Sequence, residues 1–94
     1  MEQMEQTAKH IVFSGEVQGI GFRYTANRIA GRYNVTGFVR NLPDGDVEML
    51  IQGPEQDIAN CIADIQDSFR GYIRDTQIDP APPNPRYTNF RITF

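Results

Sequence analysis

Gly15-Glu16-Val17-Gln18-Gly19-Ile20-Gly21-Phe22-Arg23 is the stretch from which the rest of the chain is read. An apolar run, Ile11-Val12-Phe13, leads into it, and a helical pattern leaves it. Glycine permits backbone conformations that a Cβ would block. Successive N–H groups of such a turn can point at one anion. The helix that follows adds its own unpaired N–H groups and the positive end of its dipole. Arg23 falls in the first turn of that helix, a planar fork suited to phosphate oxygens. On local chemistry two readings stand level: a small phosphate pocket, and a tight turn whose glycines only let strand and helix pack. The stretch is not a Walker A loop, since no Gly-Lys-Ser/Thr follows. It is not the dinucleotide fingerprint either, since Gly19-x-Gly21 lacks a third glycine three residues on.

Working outward, residues 9–15 predict a strand, with Ile11 and Phe13 on one face and Val12 on the other. Residues 1–8 are polar without strand or turn signals and predict a frayed tail. Beyond the turn, Phe22, Ala26, Ile29, Ala30 and Tyr33 form one stripe of an amphipathic helix. Asn34 is a candidate left-handed cap for its end. Val35 to Leu42 predicts a second strand. Pro43-Asp44-Gly45 is a turn, and Val47, Met49 and Ile51 alternate with Glu48, Leu50 and Gln52 in a half-buried third strand. Gly53-Pro54-Glu55-Gln56-Asp57 starts a helix with proline at its first position and acids in its first turn. Its apolar stripe is Ile58, Cys61, Ile62, Ile65 and Phe69, and Arg70-Gly71 ends it. Tyr72 to Ile78 predicts a fourth strand. Residues 79–85 hold four prolines and predict a loop rather than a ladder. Phe90-Arg91-Ile92-Thr93-Phe94 alternates as a final strand. The order is βαββαβ with a short extra C-terminal strand. That is an α+β, ferredoxin-like α/β sandwich, with two helices packed on one antiparallel sheet.

Composition narrows the function classes. A chain of 94 residues supports one modest core. The net charge of −3 argues against a broad nucleic-acid or membrane-surface footprint. One cysteine, Cys61, excludes an internal disulfide and a cysteine-based metal cluster, and its place on the helix stripe reads as a buried thiol. No apolar run has the length of a signal core or a membrane span, so a cytoplasmic protein is expected. His10 is the single histidine and begins a strand away from the glycine stretch; it reads as a surface or edge residue. Glu16 would repel a phosphate, so its side chain is expected in water while its backbone shapes the turn. Asp44 and Asp46 flank Gly45 and read as hairpin turn chemistry rather than metal ligands. For Arg40 two readings stay open: support of the pocket's positive field, or a solvent-facing strand residue. Asn41 alone, ahead of Pro-Asp-Gly, reads as a turn residue.

A second stretch changes the weight of Asn41. Gly37-Phe38-Val39-Arg40-Asn41-Leu42-Pro43-Asp44-Gly45-Asp46-Val47, running on to Gly53, resembles the second signature of the acylphosphatases. Residues 15–23 resemble the first, with Ile20 in place of the usual valine and Phe13 where an aliphatic residue is commoner. The helix over 54–69 and the proline-rich 79–85 loop look atypical for the family but touch neither signature. The resemblance implies a single acylphosphatase-like domain over residues 9–94. It implies hydrolysis of carboxyl phosphates without metal or other cofactor, with inorganic phosphate or sulfate as product-like ligands. Arg23 would bind phosphate with the backbone amides of Val17, Gln18, Gly19, Ile20, Gly21 and Phe22, and Asn41 would hold the attacking water. Partners are then a small-molecule acyl phosphate, with no nucleic acid and no membrane, for a protein expected to be a monomer. Two other readings share the fold. One is a non-catalytic phosphate- or RNA-binding module, against which stand the acidic balance and the missing aromatics after Arg70-Gly71-Tyr72. The other is a carbamoyl-phosphate-handling unit of a larger maturation protein, which the short chain is expected not to be.

Overall fold

The computed structural model describes residues 6–94. Its elements run β1 (Thr7–Gly15), α1 (Phe22–Ala30), β2 (Thr36–Asn41), β3 (Val47–Gly53), α2 (Glu55–Ser68), β4 (Ile73–Ala81) and β5 (Phe90–Ile92). The sheet order is β4-β1-β3-β2-β5. The first four strands pair antiparallel, and β5 lies parallel to β2. The four-stranded antiparallel sheet is the one expected, and the short extra C-terminal strand joins its edge in parallel, which makes the five-stranded sheet mixed. A strand's alternation fixes its faces but not its direction beside a partner.

One face of the sheet carries both helices. Ile11, Phe13, Val39, Val47, Met49 and Ile51 point into that layer and are fully buried. They meet Phe22, Ala26, Ile29 and Ala30 of α1, and Ile58, Cys61, Ile62 and Ile65 of α2. Three rings bind the layers together. Phe22 lies 5.0 Å from Phe13, within the range where aromatic pairs attract, and stacks on Phe69 at 4.3 Å. Tyr33 extends the tie by donating its hydroxyl to Asp64 of α2.

Several boundaries differ from the pattern, each for a physical reason. The expected tail over 1–8 lies outside the described residues as far as residue 5. Thr7 and Ala8 belong to β1, where Ala8 is buried between Gln52 and Ala81 in the ladder register. Helix α1 stops at Ala30, and Gly31 in right-handed geometry caps it by donating to Asn27. Asn34 has no positive φ, so it is not the left-handed cap; its N–H instead donates to Asp57 at 3.0 Å. Pro54 is the N-cap of α2 rather than its first helical residue. Asp79, Pro80 and Ala81 are strand, not loop, opposite His10, Lys9 and Ala8. β4 is an edge strand, where a missing proline donor disrupts no second ladder. Gln52, expected outward, is 6% exposed because Asn84 of the following segment folds over it, its backbone bonding both ends of the amide at 2.8 and 2.9 Å.

The face away from the helices holds a polar cross-strand link. Glu48 of β3 accepts from Arg40 of β2 and lies 2.7 Å from His10 of β1. Burial pushes the Glu48 carboxyl up, and the bonds from His10 and Arg40 outweigh it, holding the group below the usual carboxylate range. His10 is thus on a central strand rather than an edge, and Arg40 is committed to the sheet face opposite Asn41. No helix among the described residues is long and apolar enough to cross a membrane.

Burial pushes the Cys61 thiol up to about 12, with the carboxylates of Asp64 and Asp57 adding to the effect. The raised value stabilises the fold fully below about 9, its unfolded value, and that stabilisation is lost as pH climbs toward 12. A thiol reagent at pH 8 is expected to modify Cys61 far more slowly in the native protein than in urea. Equal rates would contradict its burial.

Candidate active site

The loop between β1 and α1 is held at both ends and open in the middle. At its start, a register shift at Ser14/Gly15 brings Gly15 close to the chain leading into β4. A Cβ there would meet the Tyr72 carbonyl oxygen at 2.4 Å and the Arg74 nitrogen at 2.6 Å. The Glu16 N–H donates to the same Tyr72 carbonyl at 2.8 Å, and its side chain is exposed, as the sequence suggested. Val17 is fully buried and pins the next residue. At the far end Phe22 is sunk into the core. Gly15 thus follows the plain packing reading.

Gly19 and Gly21 are different. Their φ values are 79° and 78°, and open space surrounds the place of a Cβ at both. Gly21 is the N-cap of α1, without a side-chain cap, and the first turn bond is Thr25 N–H to Gly21 at 3.0 Å. Among the described residues, the backbone N–H groups from 17 to 24 have no protein acceptor. A run of unsatisfied donors at a helix start is an anion-binding arrangement.

Six of these eight residues border a cleft of about 190 Å³, lined by Val17, Gly19, Gly21, Phe22, Arg23, Tyr24, Asn41, Ile92 and Phe94. Arg23 and Asn41, eighteen positions apart in the chain, share it. So do four of the six loop residues expected there. Gln18 and Ile20 do not line it: Ile20 is 40% exposed, and the Gln18 side chain turns to the hairpin, donating to Leu42 at 2.7 Å and Asp46 at 2.8 Å. Arg23 is the one charged lining residue. It has no carboxylate partner among the described residues; its guanidinium donates to the Thr93 carbonyl at 3.3 Å and lies 4.7 Å over the Phe94 ring. The Oδ1 of Asn41 is a buried side-chain polar atom without a hydrogen-bond partner among the described residues. Buried polar groups are ordinarily paired, so this carbonyl oxygen has capacity for a donor. Asp44 is occupied in the turn, accepting from the Asp46 N–H at 3.0 Å.

The wall formed by Ile92 and Phe94 was not legible in the chain. Their alternation marks a strand, but only its parallel seat beside β2 brings it to α1. The side-chain role of Gln18 was missed as well, because its partners are backbone carbonyls 24 and 28 positions away.

The acylphosphatase family model matches residues 9–92. The chain is similar to an acylphosphatase of Alcanivorax borkumensis, 36% identical over 95 residues, covering 93% of this chain and 99% of that one. A match to an acylphosphatase of Nitrobacter hamburgensis is 47% identical over 60 residues and spans 64% of this chain and 61% of that relative. The fold is similar to an acylphosphatase structure from Coxiella burnetii, with TM-score 0.87 and 27% identity, covering 99% of this chain and all of that one.

The glycines yield a ranking. Gly21→Ala is expected to lower stability by about 1–2 kcal/mol, the cost of a left-handed residue with a Cβ, since nothing obstructs the methyl group. Gly15→Ala is expected to cost more, because strand backbone must move. Urea denaturation of both variants checks the order.

Proposed function

The chain belongs to the acylphosphatase family, hydrolases of acyl phosphates, and from that premise we propose the part each cleft residue plays. Arg23 and the loop amides bind the phosphate, and Asn41 positions the water that attacks it, without a metal ion. The reading is carried by one observation: Arg23, Asn41 and the uncapped start of α1 border the same cleft.

The chemistry needs little more. The transferred phosphoryl group spreads charge over three equatorial oxygens. Fixed N–H donors and a guanidinium aimed at those oxygens stabilise that charge without reorganising. The leaving group is a carboxylate whose conjugate acid has a pKa of about 4, so it departs without a general acid. The attacking water must approach a dianion. A carboxylate base beside it would add repulsion, whereas a neutral amide orients it at no electrostatic cost. Asn41 lines the cleft, and its carboxamide suits that task, accepting one O–H of the water and leaving a lone pair for phosphorus. Among the described residues, the lining side chains include no carboxylate or imidazole, and this set of side chains favours an anion over a metal ion.

Hydrolysis of benzoyl phosphate in excess EDTA, with inorganic phosphate as competitor, tests the assignment. Arg23→Ala is expected to lower turnover by at least about 10²–10³-fold, the usual cost of one preorganised donor, and to weaken phosphate inhibition. Asn41→Ala is expected to lower kcat by about 10²-fold while phosphate inhibition stays within a few-fold. Unchanged turnover in either variant removes that residue from the mechanism. Loss of wild-type activity in EDTA, restored by a divalent ion, would overturn metal independence.

A further inference from the structure

We propose that the side chain of Gln18 is a positioning residue for hydrolysis, setting the distance between the phosphate loop and Asn41. The proposal rests on the roles given above to that loop and to Asn41.

The geometry is specific. One amide nitrogen, Nε2, donates both its hydrogens across to the hairpin, to the carbonyls of Leu42 at 2.7 Å and Asp46 at 2.8 Å. Leu42 follows Asn41 directly. Asp46 precedes Val47, the residue paired with Asn41 across the β2–β3 ladder. The Leu42 N–H also donates to Asp46 at 2.8 Å. Gln18 therefore clamps both strands of the hairpin one step beyond the Asn41–Val47 pair.

Little else links the two parts of the cleft. The loop is fixed to the β4 approach at Glu16 and to the core at Val17 and Phe22. Between them Gly19 and Gly21 have open space around them and no packing of their own. Among the described residues, no other hydrogen bond joins residues 17–21 to residues 41–47. Such a loop without a tether samples many separations from the hairpin. A misplacement of about 1 Å can cost about 10²-fold in rate. The residue type also fits. Glutamate at this position has no donor at neutral pH, would face two carbonyl oxygens, and would bring negative charge to an anion site. Asparagine is one methylene too short to span the same gap.

A positioning role predicts a defined kinetic pattern. In Gln18→Ala, the Gln18 backbone N–H stays in the loop, so phosphate inhibition is expected to change less than about threefold. The value of kcat for benzoyl phosphate is expected to fall about 10- to 100-fold. In the Asn41→Ala background, the same substitution is expected to cost nothing further, because the water-holding group is already gone. Gln18→Met keeps the bulk and removes the donors; it is expected to match Gln18→Ala, and it carries the test if the alanine variant does not fold. Urea midpoints confirm that the variants compared are native. Unchanged kcat in folded Gln18→Ala, or losses that multiply in the double variant, would overturn the proposal. So would phosphate inhibition weakening in step with kcat, which would place the side chain in the phosphate cup itself. Wild-type turnover in Asn41→Ala alone would overturn the underlying reading and this proposal with it; a normal Asn41 loss beside an intact Gln18→Ala overturns this proposal alone.

Discussion

The buried ring of Phe22 is the constraint on which the site depends. It is the first residue of α1, and it is clamped between Phe13 of the sheet and Phe69 after α2. Full burial of such a ring contributes roughly 1.5–3 kcal/mol, and its two aromatic neighbours add to that. The anchor fixes both where the helix begins and which way its first turn faces. With residue 22 pointing into the core, residue 23 projects about 100° around the helix axis, beside the cleft. The loop before it must then close the distance from the end of β1, which requires left-handed backbone at Gly19 and Gly21. Core packing, helix start and the outward reach of Arg23 are one arrangement.

Strand direction supplies the rest. β1 and β2 are both antiparallel to β3, hence parallel to each other, and β5 is parallel to β2. Their carboxyl ends therefore lie at the same end of the sheet. The glycine loop leaves β1 there, Asn41 ends β2 there, and Thr93 and Phe94 follow β5 there. Placing ligands beyond the carboxyl ends of parallel strands is familiar in open α/β sheets. Here the split arrangement, with β3 between β1 and β2, reaches the same result with antiparallel neighbours. It also leaves a gap between loop and hairpin that the Gln18 amide spans.

This division explains what the chain discloses and what it conceals. The helices, the hairpin and the core residues follow from short-range periodicity, and so do the special glycines and Arg23. Asn41 is different. Locally it reads as a turn residue, and its place after Arg40 in an apolar strand together with resemblance to a known signature sets it apart. Its place depends on a ladder with β3 and a crossover through α1, neither of which has a local signal. The errors follow the same line. Pro80 looks like a ladder breaker until β4 proves to be an edge strand. Gln52 looks solvent-facing until Asn84 folds over it. Asn34 looks like a cap because an apolar stripe that includes Tyr33 overstates the helix by three residues. The Thr93–Arg23 bond joins residues 70 positions apart and leaves no trace in either segment.

The charge distribution follows the same geometry. The protein carries a net charge of −3, an unfavourable background for an anionic ligand at long range. At physiological salt that background is screened beyond about 8 Å, so the groups within the cleft decide. Glu48 is held by His10 and Arg40 on the opposite sheet face. Glu16 is exposed outside the lining, and Asp44 is bound into its own turn. What borders the cleft is one guanidinium without a carboxylate partner among the described residues, a row of N–H dipoles and a neutral carboxamide. An Arg23 already paired with a carboxylate would have to break that pair before meeting any other anion. Held instead by the Thr93 carbonyl and the face of Phe94, it keeps its orientation while its charge remains uncompensated. The acids are kept off the cleft by strand alternation and turn geometry, so an acidic protein can present a locally positive site.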